Sequence, residues 1–116
     1  MLPADAFAAA VGEEPTAPGE PFPAAGAVLG GCEYEADSGA SATVYARVLS
    51  EFETTVAAYG AAPVADLPDA FYSQDVGLLV PVSVSGYYLQ VMAGTRAFRW
   101  EEAPSVAIAR EILDRV

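Results

Sequence analysis

Residues Gly77–Met92 read GLLVPVSVSGYYLQVM, the longest strand-like run in the chain, and Ser85-Gly86 falls where a two-residue turn would reverse it. Symmetric pairing about that turn sets Val84 opposite Tyr87, Val82 opposite Leu89 and Val80 opposite Val91. Side chains alternate along a strand with period two, so these six share one side of the pleat. The reverse side collects Leu79, Pro81, Ser83, Tyr88, Gln90 and Met92, a mixed set. The valine-lined side is expected to be core. The tyrosine-bearing side has two readings. It is either an amphipathic platform for a partner, formed by Tyr45, Tyr88, Gln90, Met92 and Leu79, or a surface covered by the proline-rich segment upstream.

Downstream of the hairpin, Ala93–Ala103 reads as a strand fragment or an ordered loop. Pro104 then starts a last helix, on which Val106, Ala109, Leu113 and Val116 form one stripe widened by Ile112. Arg110 and Arg115 lie towards its C-terminal half, where the helix dipole favours cations. Upstream, Ala70–Ser73 is a short strand followed by a turn at Gln74–Val76, and Ala61–Pro68 is loop. Ser50-Glu51-Phe52-Glu53 has the form of a capping box. It predicts a helix to about Tyr59 that buries Phe52, Val56 and Tyr59 and stops at Gly60.

Ala27–Ala36 and Ala42–Leu49 read as two more strands joined through Asp37–Ser41. Pairing about that turn sets Tyr34 with Val44 and Cys32 with Ala46 on one face. Glu33, Glu35, Thr43, Tyr45 and Arg47 fall on the other, with Arg47 diagonal to Glu33 as a weak ion pair on a wet face. Glu13–Gly26 holds four prolines and two glycines, which excludes a regular helix or an inner strand. It is expected to be an extended strip anchored over the domain by Phe22. Pro3–Val11 opens the chain as a short helix with Phe7, Ala10 and Val11 on its apolar side and Gly12 as its stop.

The order is helix, two strands, helix, three strands, helix. It predicts one α+β domain over residues 1–116: an antiparallel sheet of about five strands with helices packed on one face. The charge balance narrows the partners. Sixteen acidic residues stand against five arginines and no lysine, giving a net charge of −11. Such a field repels phosphate backbones and anionic lipid, which excludes nucleic acid and suits a neutral or cationic ligand. The chain has no histidine, which removes Ser-His-Asp and Cys-His mechanisms and the commonest transition-metal ligand. Its single cysteine, Cys32, cannot form an internal disulfide or a thiolate zinc site. It is either a small buried hydrophobe or the remnant of a pair. No run approaches the eighteen apolar residues of a membrane span.

Several clusters invite a functional reading, each beside a structural one. Asp66, Asp69 and Asp75 put three carboxylates on one loop, but their spacing is not that of an EF-hand, and turn formation or solvation accounts for them. Glu33 with Glu35, and Glu51 with Glu53, each share one element face instead of facing each other across a cleft, so they read as solvated. Arg96-Ala97-Phe98-Arg99-Trp100 gathers two arginines beside the only tryptophan of an acidic chain. It is either a recognition patch, since Arg and Trp are enriched at interface hot spots, or a packed aromatic pair whose arginines meet Glu101 and Glu102.

Four short motifs resemble those of small secreted lipoprotein domains of actinobacteria whose function is unknown. Leu2-Pro3-Ala4-Asp5 with Ala8–Gly12 is similar to the opening of the mature family domain. Cys32-Glu33-Tyr34 resembles its Cys-x-Trp strand, with Tyr in place of Trp. Leu67–Tyr72 resembles its middle motif, and Ile108–Leu113 its closing helix. Met1 stands where the family often carries a second cysteine able to pair with the later one. The resemblance implies an extracytoplasmic domain, anchored in its precursor by a lipid that this chain does not carry; the family has no established chemistry, so it supplies no catalytic residue to carry over, and no cofactor is expected. The start at Met1-Leu2-Pro3 accordingly reads as the edge of a domain from a longer precursor. The expectation is a non-enzymatic binding or interaction domain. It would contact an unknown protein or a neutral or cationic small ligand through Arg96, Arg99 and Trp100 or through Tyr45, Tyr88 and Gln90. The competing expectations are a small-molecule carrier or hydrolase with a pocket between sheet and helices, and a cytoplasmic accessory protein.

Overall fold

The computed structural model describes residues 7–9, 12, 14–16, 20–22, 28–82, 86–94 and 100–114. Among them, seven strands form a single antiparallel sheet: β1 (Glu20–Phe22), β2 (Val28–Glu35), β3 (Ser41–Val48), β4 (Ala62–Pro63), β5 (Phe71–Ser73), β6 (Gly77–Val82) and β7 (Tyr87–Gly94). Their order across the sheet is β1-β2-β3-β7-β6-β5-β4. Setting aside the two-residue β4 leaves six strands, one more than the sequence suggests. Helical residues 7–9 (α1), helix α2 (Phe52–Tyr59) and helix α3 (Glu102–Leu113) complete an α+β fold.

The central hairpin forms with a register two residues tighter to the sheet than expected. Val82 pairs with Tyr87, Val80 with Leu89 and Leu78 with Val91. The β2–β3 hairpin shifts in the same way, with Cys32 opposite Val44 and Tyr34 opposite Ala42. A two-residue slip preserves the side on which every side chain emerges, whereas a one-residue slip would reverse it. The faces therefore stand, while the turns differ. The β6–β7 connection spans four residues, with Gly86 at φ 75°. Ser83, Val84 and Ser85 lie outside the described residues. Leu29 sits at a bulge between Val28 and Gly30, which accounts for a leucine left half exposed.

The valine-lined face is core. Leu78, Val80, Val82, Leu89 and Val91 are buried together with Cys32, Tyr34, Ala42 and Val44. Phe7 of α1, fully buried, stacks on Tyr34 with ring centroids 5.3 Å apart. Helix α3 closes the face with Val106, Ile108 and Ala109, and Ile112 and Leu113 pack at its margin. Its buried stripe thus includes Ile108 and Ser105, beyond the residues expected from spacing; Val116 lies outside the described residues. The helix begins at Glu102, so Pro104 sits inside its first turn, where a missing N–H costs nothing. Ser105, fully buried, donates from Oγ to the Glu101 carbonyl at 2.7 Å and accepts from the Ala93 amide at 3.2 Å. That hydroxyl ties the helix to β7.

The opposite face is where expectation and structure part. Helices were expected on one side only, but α2 packs on the reverse side. Phe52 contacts Tyr88 and Phe71 edge-on, at 5.4 and 6.1 Å. Val56, Leu49 and Ala61 join it over Val76, Leu79 and Tyr88. A sheet with apolar groups on both sides needs cover on both, and Leu79 and Tyr88 supply that demand. Tyr59 is 50% exposed and takes no part. A 3₁₀ turn, Leu49–Glu51, precedes α2, and no side chain caps its start, so the Ser50 capping box does not form. Gly60 ends it in the left-handed region, as the sequence suggests.

The described part of the proline-rich segment, residues 14–16 and 20–22, runs along the sheet edge instead of over a face. Glu20–Phe22 pairs with Gly31–Glu33 as an edge strand, and the Thr16 amide donates to the Glu35 carbonyl at 2.8 Å. An edge is where a strand containing Pro21 can be accommodated. Residues 13, 17–19 and 23–26 of that segment, and Ala27 after it, lie outside the described residues.

Candidate functional site

Alternation places Glu33 and Glu35 of β2, and Ser41 and Thr43 of β3, on the reverse face of the sheet, beyond the reach of α2. Glu33 pairs directly with Thr43, and Glu35 with Ser41. The turn between the strands is closed by the Ala36 amide donating to the Ala40 carbonyl at 2.8 Å, with Gly39 at φ 95°. This tight reversal carries Asp37 beside the two glutamates. Trp100 arrives from the β7–α3 connection, held at its base where the Glu101 amide donates to the Ala93 carbonyl at 2.8 Å. Together these residues line a cavity of about 310 Å³, with Glu33, Glu35, Asp37, Ser41, Thr43 and Trp100 on its walls.

The floor of the cavity is ordered by hydrogen bonding. The Thr43 hydroxyl, on a residue only 6% exposed, donates to Oε2 of Glu33 at 3.2 Å. Glu33 and Trp100 are half-buried, while Glu35 and Asp37 are exposed. Three acidic residues thus line one space, and among the described residues no arginine lines it. Arg47, expected beside Glu33, turns away along its own strand. Its guanidinium donates from Nη1 to Gln90 Oε1 at 3.1 Å and lies 3.9 Å from Glu51. The two-residue register shift explains this, because it puts Thr43 opposite Glu33.

The platform reading of the tyrosine-bearing side fails under α2. Tyr88 is fully buried, with its hydroxyl 3.2 Å from Thr55 Oγ1. Gln90 is 7% exposed and donates from Nε2 to the Val76 carbonyl at 3.1 Å. Neither residue is at a surface that a partner could reach, and Leu79 is likewise fully buried. The cover is a helix and not the proline-rich strip. Tyr45 is half-buried on the same face, paired with Gln90. Of the Arg96–Trp100 patch, Trp100 lines the cavity, whereas Arg96 and Arg99 lie outside the described residues.

Asp66, Asp69 and Asp75 are exposed loop residues, and Asp69 adopts a left-handed φ of 64°. The Asp66 carbonyl accepts from Arg110 Nη2 at 2.8 Å, a bond that fastens the loop to α3. Among the described residues, no three carboxylate or thiol side chains are grouped so that they could hold a metal ion. Cys32 is 2% exposed on the core face. The space between sheet and helices, where a carrier or hydrolase pocket was considered, is occupied by Phe7, Leu78, Val91 and Ile108, each fully buried. No helix among the described residues is long and apolar enough to cross a membrane.

From sequence alone Glu33 and Glu35 read as a solvated face and Asp37 as part of a turn, whereas the fold brings them to one cavity. The signal that could have found them is the cross-strand pattern of two acids at i and i+2 opposite Thr and Ser, in a chain with a tryptophan left over from its core. Comparison of the chain with family models, with curated proteins and with solved structures yields no match.

Proposed function

We propose that the chain is a non-enzymatic binding module and that the Trp100-walled cavity on the β2–β3 hairpin is its ligand site. The observation carrying this is the composition of one concave space: a tryptophan and three acidic residues, one of them a glutamate held by a threonine hydroxyl, around about 310 Å³. Concave sites with an aromatic surface and a few fixed polar groups are where small ligands bind. Binding is favoured over catalysis by what the chain offers chemically. It has no histidine, and its one thiol is buried in the core.

The resemblance of four short motifs to those of actinobacterial lipoprotein domains supports placing this module outside the cytoplasm, tethered through its precursor. Labelling the full-length gene product with a radioactive fatty acid in its host tests that placement. An unlabelled product in the soluble cytoplasmic fraction would reverse it.

The site itself is tested by emission of Trp100, the only tryptophan, together with thermal melting, across a panel of neutral, cationic and anionic small molecules. A ligand is expected to change both signals and to lose its effect in Glu33→Gln/Glu35→Gln. If no compound at 10 mM-scale concentration (about the weak limit of specific binding) alters either signal, the reading fails.

A further inference from the structure

We infer that the cavity takes a guanidinium-bearing small cation, an inference that rests on the binding reading above and names its ligand class. Three features of the walls select this chemistry. First, the described lining is all acidic and neutral, and the chain as a whole is acidic, so the local potential gathers cations. Second, the carboxylates are spread out. Glu33 and Glu35 stand one strand repeat apart, about 7 Å along β2. A divalent ion needs its oxygens at about 2.3–2.6 Å from one centre, and no such grouping exists among the described residues. An extended cation with several donors spans that separation; a bare ion does not.

Third, the described lining offers one aromatic residue, Trp100, and several acceptors. A quaternary ammonium has no N–H to donate and is bound by cages of several rings. Guanidinium is planar, carries five donors in an arginine side chain, stacks on an indole face and pairs with carboxylates through a two-point fork. Trp100 supplies the stacking surface. Glu33, held by Thr43 at 3.2 Å, supplies a carboxylate whose orientation is already set. Glu35 and Asp37, both exposed, sit at the mouth and draw the cation in. Partly solvated pairs of this kind are individually weak and salt-screened, so affinity near 1 mM is expected, falling as salt rises.

Titration of the whole chain with L-arginine amide, followed by Trp100 emission and by calorimetry, tests the inference. Citrulline amide, of the same shape with a neutral urea in place of guanidinium, and tetramethylammonium serve as comparisons. Arginine amide is expected to bind at least about tenfold more tightly than either. Glu33→Gln/Glu35→Gln is expected to lose about tenfold, and Trp100→Phe less than Trp100→Ala, with circular dichroism showing each variant folded. The tripeptide Gly-Arg-Gly, blocked at both ends, identifies the source. Preference for it points to a guanidinium carried on a chain, and preference for arginine amide to a free metabolite. Equal binding of citrulline amide and arginine amide would overturn the guanidinium assignment while leaving a binding site in place. Silence from arginine amide, with a response to some other compound, would do the same. Silence from every compound would take both readings down.

Discussion

Truncating Leu79 to alanine separates a sheet covered on both faces from one covered on a single face. Leu78 and Leu79 are neighbours, both fully buried, yet they belong to different clusters. Leu78 points to α3 and the main core. Leu79 points to α2, beside Val76, Tyr88 and Phe52. Replacing a fully buried leucine by alanine costs about 2.7–5.0 kcal/mol, the spread depending on how far the site collapses. About 3 kcal/mol is expected for Leu79→Ala, since the α2 side is smaller and freer to relax, and somewhat more for Leu78→Ala. For a domain of this size about 3 kcal/mol lowers Tm by roughly 12 °C. Urea unfolding followed by the single tryptophan measures both. Coupling sharpens the test. Leu79→Ala combined with Phe52→Ala should depart from additivity by about 0.5 kcal/mol or more, because both open the same cluster, whereas Leu78→Ala with Phe52→Ala should add. A cost for Leu79→Ala below about 1 kcal/mol, or additivity with Phe52→Ala, would refute the second core.

Ser105→Ala should cost about 1–3 kcal/mol, because it deletes a fully buried hydroxyl that bonds both Glu101 and Ala93; the midpoint in urea reads this directly. At Gly31 a Cβ would stand 2.1 Å from the Val44 carbonyl oxygen across the hairpin. Gly31→Ala should therefore destabilise by about 1–3 kcal/mol or prevent folding, and a variant as stable as the parent would contradict the β2–β3 register. Tyr72 has its pKa raised above 10.0, by burial first and then by the charges of Glu102 and Glu101. Its neutral form is favoured in the fold, so its contribution is complete below pH 10 and is lost as pH rises through the folded pKa. Tyr72→Phe should flatten the fall of stability as pH rises above about 10; an unchanged slope would show that other groups cause it.

The fold was legible in the sequence to the extent that period-two alternation controls it. The side on which each residue of β2, β3, β6 and β7 emerges follows from parity alone, and parity survives the two-residue slip of both hairpins. Turn length was not legible, because Ser85-Gly86 satisfies a tight turn as well as part of a longer one. The covering of Tyr88 and Leu79 was missed for a related reason. The short α2 has no fully buried residue, so its apolar stripe reads as weak, yet it closes a face by laying Phe52 against Tyr88. Ser105 concealed the true stripe of α3: a polar letter at the position facing β7 moved the inferred stripe towards Val106 and hid Ile108. The cavity lies one step beyond single-element reading. Glu33, Asp37, Thr43 and Trp100 come from β2, the turn after it, β3 and the approach to α3, and only the pairing of β2 with β3 and of β3 with β7 brings these stretches together.

The claim that this hairpin surface meets the ligand is tested most directly by amide and indole NMR signals during titration with L-arginine amide. The account predicts saturable shifts confined to Glu33–Thr43 and to the Trp100 indole N–H, with the signals of α2 unmoved. Shifts centred on α2 and Tyr59 instead, with the Trp100 indole unchanged at saturation, would contradict it.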